Sequence, residues 1–193
     1  MRFNLPIILT WFRILAVPLL VAVFYLPGPW AGKQEINLCA TIIFTIAAFT
    51  DWADGWLARR NNQVSSFGAF LDPVADKLMV AAVLLILLDL ERISVLVAII
   101  IMGREIAISA LREWMAQIGA ATNVAVSLLG KLKTVSQMVA IPLLLFHQPL
   151  WGLDVHALGT VLIWMAALLT LWSMFFYLHK AWPEIKQRQH VSR

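Results

Sequence analysis

The sequence predicts an all-α, polytopic membrane protein with six transmembrane helices, and three observations carry that reading. Of its 193 residues, 61% are hydrophobic and only 13% charged, where a soluble domain has about 45–50% apolar and about 25% charged residues. Mean hydropathy is +0.81. Six segments also approach the ~20 mostly apolar residues that a spanning helix needs, and the connections between them are short. No linker divides the chain, so a single membrane-embedded domain over residues 1–193 is expected.

The first span is Ile7–Leu26. Arg13 interrupts its apolar run and no small-x-small cleavage site precedes a polar domain, so it reads as a retained span and not a signal peptide. The turn-rich LPGPWAGKQE leads to the second span, Ile36–Arg59, which holds Cys39. As the chain's one cysteine, it excludes an intrachain disulfide and reads as a small buried hydrophobe. The polar stretch RRNNQVSS is expected to form the turn into the third span, Pro73–Leu90, and the very short DLER makes a tight hairpin with the fourth, Ile93–Leu111. The fifth span, Val124–Phe146, and the sixth, Ala157–Leu178, are joined by HQPLWGLDVH.

Lys and Arg accumulate in cytoplasmic loops. With the N-terminus inside, that side collects Arg2, Arg59, Arg60, Lys77, Arg112, Lys180, Lys186, Arg188 and Arg193, against Lys33 and Arg92 opposite. Both termini should face the cytoplasm. Topology and contact with anionic lipid headgroups then account for the basic excess, and nucleic acid is not an expected partner. The tryptophans read as interfacial belts, and His147, His156, His179 and His190 receive no role.

Charge within the spans is unevenly placed. The sixth carries none, whereas the other five carry, toward their cytoplasmic ends, Arg13; Asp51 and Asp54; Asp72 and Asp76; Arg104 and Glu105; and Lys131 and Lys133. An ionised group in a membrane is costly, on the order of 2.5–3.5 kcal/mol even on lenient scales, so this pattern predicts a water-accessible cavity lined by the first five helices.

The informative stretch is DWADGWLARRNNQVSSFGAFLDPVAD, from Asp51 to Asp76. Asp51 and Asp54 are spaced i, i+3, and Asp72 and Asp76 i, i+4, so each pair shares a helix face. Four carboxylates match the charge of two Mg²⁺ or Mn²⁺ ions, hard cations that prefer oxygen ligands. No His or Cys lies in the stretch, which argues against a zinc site. Gly55, Ala58 and Gly68 would let a bulky ligand approach the backbone, although small residues also serve helix packing in membranes.

The arrangement Asp-x2-Asp-Gly-x2-Ala-Arg-x8-Gly-x3-Asp-x3-Asp, complete from Asp51 to Asp76, resembles the signature of the CDP-alcohol phosphotransferases. The segments LPIILTWFR, GREIAISALREWMA and GKLKT extend the likeness. The family's N-terminal element often reads Pro-Asn-x-x-Thr; here Ile7 replaces the Asn and Thr10 remains. The resemblance implies the CDP-alcohol phosphotransferase fold, a homodimer in the bacterial inner membrane, and transfer of a phosphatidyl group from CDP-diacylglycerol to sn-glycerol 3-phosphate with release of CMP. It further implies that Asp51, Asp54 and Asp72 bind metal, that Asp76 lies near a metal and acts as general base, and that Thr10, Gly55, Ala58, Arg59, Ser65 and Gly68 form the CDP-diacylglycerol site.

A phosphorylated acceptor needs fixed cations. Arg104 is the leading candidate because it sits deepest in its span, with Arg13, Arg112, Lys131 and Lys133 as further contributors. For Arg112 and Lys133, headgroup contact is an equally good account. Alternative acceptors within the family are serine, inositol phosphate and phosphatidylglycerol. A cation or proton transporter is the alternative from another class, but the chain has neither repeated halves nor charge at the midplane.

Overall fold

The computed structural model describes residues 5–25, 32–61, 66–117, 128–150 and 152–191, with side chains at 10–25, 32–50, 71, 73–111, 113–115, 117, 132–150, 152–176 and 178–179. Six helices and no strand occur among the described residues: α1 Leu5–Tyr25, α2 Lys33–Asn61, α3 Ser66–Asp89, α4 Val95–Gln117, α5 Leu128–Phe146 and α6 Val155–Val191. Each contains most of one expected span. The differences lie at the ends. Arg59, Arg60 and Asn61 belong to α2 and not to a turn, and α3 starts at Ser66, so Pro73 sits inside the helix. Proline removes one backbone hydrogen bond without ending a helix whose packing holds it. α6 continues to Val191, well past the end of the expected span at Leu178.

The bundle buries several polar and charged side chains and exposes many large apolar ones. Thr10, Arg13, Lys133, Ser136, Gln137, Thr170 and Ser173 are buried, whereas Leu15, Ile42, Phe49, Ile99, Ile106, Val135, Leu168, Trp172 and Phe175 are exposed. Such a surface suits a lipid solvent and not water. Among the described residues, one helical segment, Val155–Phe176, is long and apolar enough by itself to cross a membrane, while Thr10–Tyr25 and Leu132–Phe146 are shorter apolar stretches. Charges on α2, α3 and α4 lower the apolarity of those helices. Cys39 corrects the expectation of a buried hydrophobe, being exposed on the flank of α2 beside the exposed Leu38 and Ile42.

α1 packs on α2 and α3, α2 and α6 on α5, and α4 on α3 and α6. The apolar core, including Leu20, Phe44, Leu84, Leu87, Ile101, Ile141, Leu144 and Ile163, fills the half of the bundle nearest the α3–α4 turn. α5 and α6 meet closely at Gly159, where an added Cβ would lie 2.9 Å from Leu144 Cγ.

Arg92, in the α3–α4 turn, closes this end. Its Nη1 donates to the carbonyls of Leu144 at 3.0 Å and Leu145 at 2.7 Å, and its Nη2 donates to Asn37 Oδ1 at 2.8 Å. One guanidinium thus ties α2 and α5 to the turn. Burial lowers its pKa from the ordinary arginine value. Glu91 beside it takes the left-handed conformation at φ 56°. Tyr25 Oη donates to Asp89 Oδ2 at 2.8 Å, tying α1 to α3 at the same level. His147 follows α5 and meets His156 edge to face at 4.5 Å. Partial burial lowers its pKa, and the Arg92 charge adds to that effect.

Candidate active site

A cavity of about 400 Å³ lies deeper in the bundle, lined by five helices: its charged residues are Arg13 of α1, Asp76 and Lys77 of α3, Glu105 of α4 and Lys133 of α5, and α2 adds the apolar Phe44, Ala47 and Ala48. α6 contributes no described lining residue. Along their helices the lining charges stand about ten to thirteen residues from the end at the α3–α4 turn, or roughly 15–20 Å at 1.5 Å per residue. The charges therefore share one level.

Arg13 is 2% exposed, and its Nη1 forms an ion pair with Asp76 Oδ1. The Asp76 side chain remains 45% exposed, so it is held from one side and open on another. Thr10, one turn before Arg13, is fully buried. Lys133, only 4% exposed, pairs through Nζ with Glu105 Oε1. The same oxygen accepts from Arg104 Nη1 at 3.2 Å. Arg104 also donates from Nη2 to Ser173 Oγ of α6 at 3.4 Å, and Ser173 Oγ donates to the Thr170 carbonyl at 2.9 Å.

These contacts correct two expectations. Lys133 is buried in the cavity wall, which rules out the headgroup-contact account because a headgroup contact needs a solvated ammonium. Arg104 is not among the lining residues; it stands behind Glu105, facing α6.

The structure thus brings Arg13, Asp76 and Lys133 together and leaves Arg104 behind them. Asp51, Asp54, Gly55, Ala58 and Arg59 lie on α2, Gly68 and Asp72 on α3, Arg112 on α4 and Lys131 on α5, all with side chains outside the described residues; Ser65 lies outside them altogether. In the sequence Asp51 and Asp54 follow Ala47 by four and seven residues, and Asp72 precedes Asp76 by four.

Sequence reasoning missed Lys77, Thr134 and Gln137 as lining residues and gave Glu105 only the role of a partner for Arg104. Lys77 had been read as a topology signal. The available clue was spacing: Lys133 and Gln137 are i, i+4 on α5, the interval of a shared face.

The model of the CDP-alcohol phosphatidyltransferase family matches residues 3–172. This chain belongs to that family. Curated relatives cover nearly its whole length. The CDP-diacylglycerol--glycerol-3-phosphate 3-phosphatidyltransferase of Salmonella choleraesuis (strain SC-B67) is 50% identical over 183 residues, which is 94% of this chain and 96% of the relative. The proteins of the same name from Shigella flexneri and Escherichia coli (strain K12) are each 49% identical over the same extent. For a CDP-alcohol phosphatidyltransferase the site chemistry is coherent. Its motif aspartates offer only oxygen donors, and Asp76, the one whose side chain is described, presents its carboxylate at a cavity wall. That donor set fits a hard divalent cation and not a thiolate- or imidazole-seeking one. Among the described residues, which include Asp76 but not the side chains of Asp51, Asp54 and Asp72, no group of three or more His, Cys, Asp or Glu side chains could hold a metal.

Proposed function

We propose that this chain transfers the phosphatidyl group of CDP-diacylglycerol to sn-glycerol 3-phosphate, forming phosphatidylglycerophosphate and releasing CMP. The observation that carries the reading is the cavity in which Asp76, the last residue of the four-aspartate motif, shares a wall with the buried cation Lys133. A carboxylate able to take a proton and a cation able to hold a phosphate occupy one small space. The names of the relatives agree with it, since each prints the same donor and acceptor.

Asp51, Asp54 and Asp72, with Asp76 beside them, would hold two divalent ions, Mg²⁺ or Mn²⁺. Bound there, the ions would neutralise the pyrophosphate of the donor and stabilise the charge that builds on its oxygens during attack. Asp76 receives the proton of the attacking hydroxyl, and Arg13 fixes that carboxylate on the wall. It takes the proton as the hydroxyl acidifies during attack. Lys133 holds the acceptor phosphate, Arg112 and Lys131 add positive charge from α4 and α5, and Arg104 positions Glu105. Thr10, Gly55, Ala58, Arg59, Ser65 and Gly68 bind the nucleotide end of the donor.

The six helices form one domain that crosses the bacterial inner membrane six times, as a homodimer with both termini cytoplasmic. Support comes from the apolar exterior and from the common level of the buried charges. CMP release by the purified protein, with CDP-diacylglycerol and a panel of acceptors, tests the reading. Turnover is expected with sn-glycerol 3-phosphate and none with serine, and EDTA should abolish it until Mg²⁺ or Mn²⁺ is restored. Full turnover in EDTA would refute the metal assignment.

A further inference from the structure

The geometry points to Glu105 as a specificity residue whose second carboxylate oxygen accepts a hydrogen bond from the acceptor hydroxyl that is not consumed in the transfer. This assignment rests on the phosphatidyl-transfer reading. Lys133 and Arg104 both bond Oε1 of Glu105, and no described residue bonds Oε2. The side chain is 30% exposed and lines the cavity that also holds Asp76. One oxygen is thus engaged by two cations, and the other is left as an acceptor among the described residues of the cavity wall.

A carboxylate in a pocket for an anionic substrate requires a reason. Charge repulsion is not the outcome here, because one carboxylate between two cations leaves the trio at a net +1. Orientation is fixed as well: turning Glu105 would break two charge-assisted contacts, made from α5 and from its own helix. Arg104 is itself anchored on Ser173 of α6. What the arrangement presents to the cavity is a fixed, strongly basic hydrogen-bond acceptor with no proton of its own.

sn-Glycerol 3-phosphate offers a complementary donor. Its primary hydroxyl attacks the phosphorus and its phosphate pairs with cations, which leaves the secondary hydroxyl between them. Lys133, the phosphate cation, is bonded to Glu105, so a phosphate held there brings that hydroxyl near the same carboxylate. The proton stays on the hydroxyl throughout. A cavity of about 400 Å³ accommodates so small a polyol phosphate. An acceptor lacking the secondary hydroxyl would leave Oε2 desolvated and unpaired, the situation that gives polar sites their discrimination.

The test compares kcat/KM for sn-glycerol 3-phosphate with that for 3-hydroxypropyl phosphate, the same chain without the secondary hydroxyl, using the full-length purified protein. The parent is expected to favour the former by roughly a hundredfold or more. Glu105→Gln should shrink that preference about tenfold or more, because a neutral amide replaces the charged acceptor. The ratio does not depend on how much of the variant is folded. Should Glu105→Gln turn over neither acceptor, Glu105→Asp carries the test, since it keeps the charge but withdraws the carboxylate; its preference should also fall. An equal loss for both acceptors in these variants would overturn the assignment, as would a parent preference near one. A parent that releases no CMP with sn-glycerol 3-phosphate would overturn the functional reading itself, and that result comes before any variant is made.

Discussion

At the scale of single residues the sharpest distinction is between holding metal and moving a proton. Asp51→Asn and Asp72→Asn should each abolish turnover and weaken CDP-diacylglycerol binding, because the donor pyrophosphate then faces a missing or under-neutralised ion. Asp76→Asn should lose turnover yet keep substantial metal-dependent nucleotide binding, since its amide oxygen remains a partial ligand. Paired turnover and binding measurements separate the two outcomes, and near-normal turnover in Asp76→Asn would assign the proton to another group. The acceptor side gives a second prediction. Lys133 lines the cavity and is buried, whereas Arg104 stands behind Glu105. Lys133→Gln should therefore raise the KM for sn-glycerol 3-phosphate more than Arg104→Gln does, by a difference on the order of tenfold, while leaving donor affinity nearly unchanged. Equal effects would place Arg104 at the substrate. The sequence alone favours the opposite order because depth in a span is legible from position, whereas the direction of a side chain is not. Arg104 and Glu105 are adjacent, so a helix sends them about 100° apart; one reaches the cavity and the other α6.

At the scale of helices, hydrophobic runs located all six elements, and the four-aspartate spacing located α2 and α3 as the pair that carries the motif. Their ends were not legible. Arg59, Arg60 and Asn61 look like a polar loop, yet a helix continues through polar residues once it leaves the apolar layer, as α6 does to Val191. The Arg92 clamp was likewise hidden, because its partners include two backbone carbonyls that any sequence would supply. It makes a specific forecast. Arg92→Ala removes three charge-assisted hydrogen bonds and leaves partly buried acceptors unmet, so unfolding in detergent should become easier by on the order of 3 kcal/mol. Arg92→Lys should recover little, since a point charge cannot span the three acceptors that a planar fork reaches. Undiminished thermal stability in Arg92→Ala would show that those carbonyls find other partners.

For the molecule as a whole, the prediction concerns which end faces which compartment. In a Cys39→Ala background, a cysteine at Glu91 should react with an impermeant maleimide added to the periplasmic side, and one at Glu113 should react only from the cytoplasm. Both positions are exposed, so accessibility within the fold does not decide the result. The reverse pattern would invert the topology. The membrane class, the number of helices and the grouping of charge on the first five were readable because hydropathy and charge are properties of composition. The cavity's polar wall was readable only in part, since which neighbours meet is set by packing between distant helices. The two kinds of contact in this bundle also differ in what can replace them. Near the α3–α4 turn the ties run to carbonyls, an amide and a phenol, groups for which an anionic substrate is no substitute. Around the cavity they are ion pairs, Arg13 with Asp76 and Lys133 with Glu105. The end that joins the helices is thus held by groups indifferent to an anionic substrate, and the charged end is left to deal with one: the enzyme is built like a tuning fork, joined at the stem and addressed at the tines.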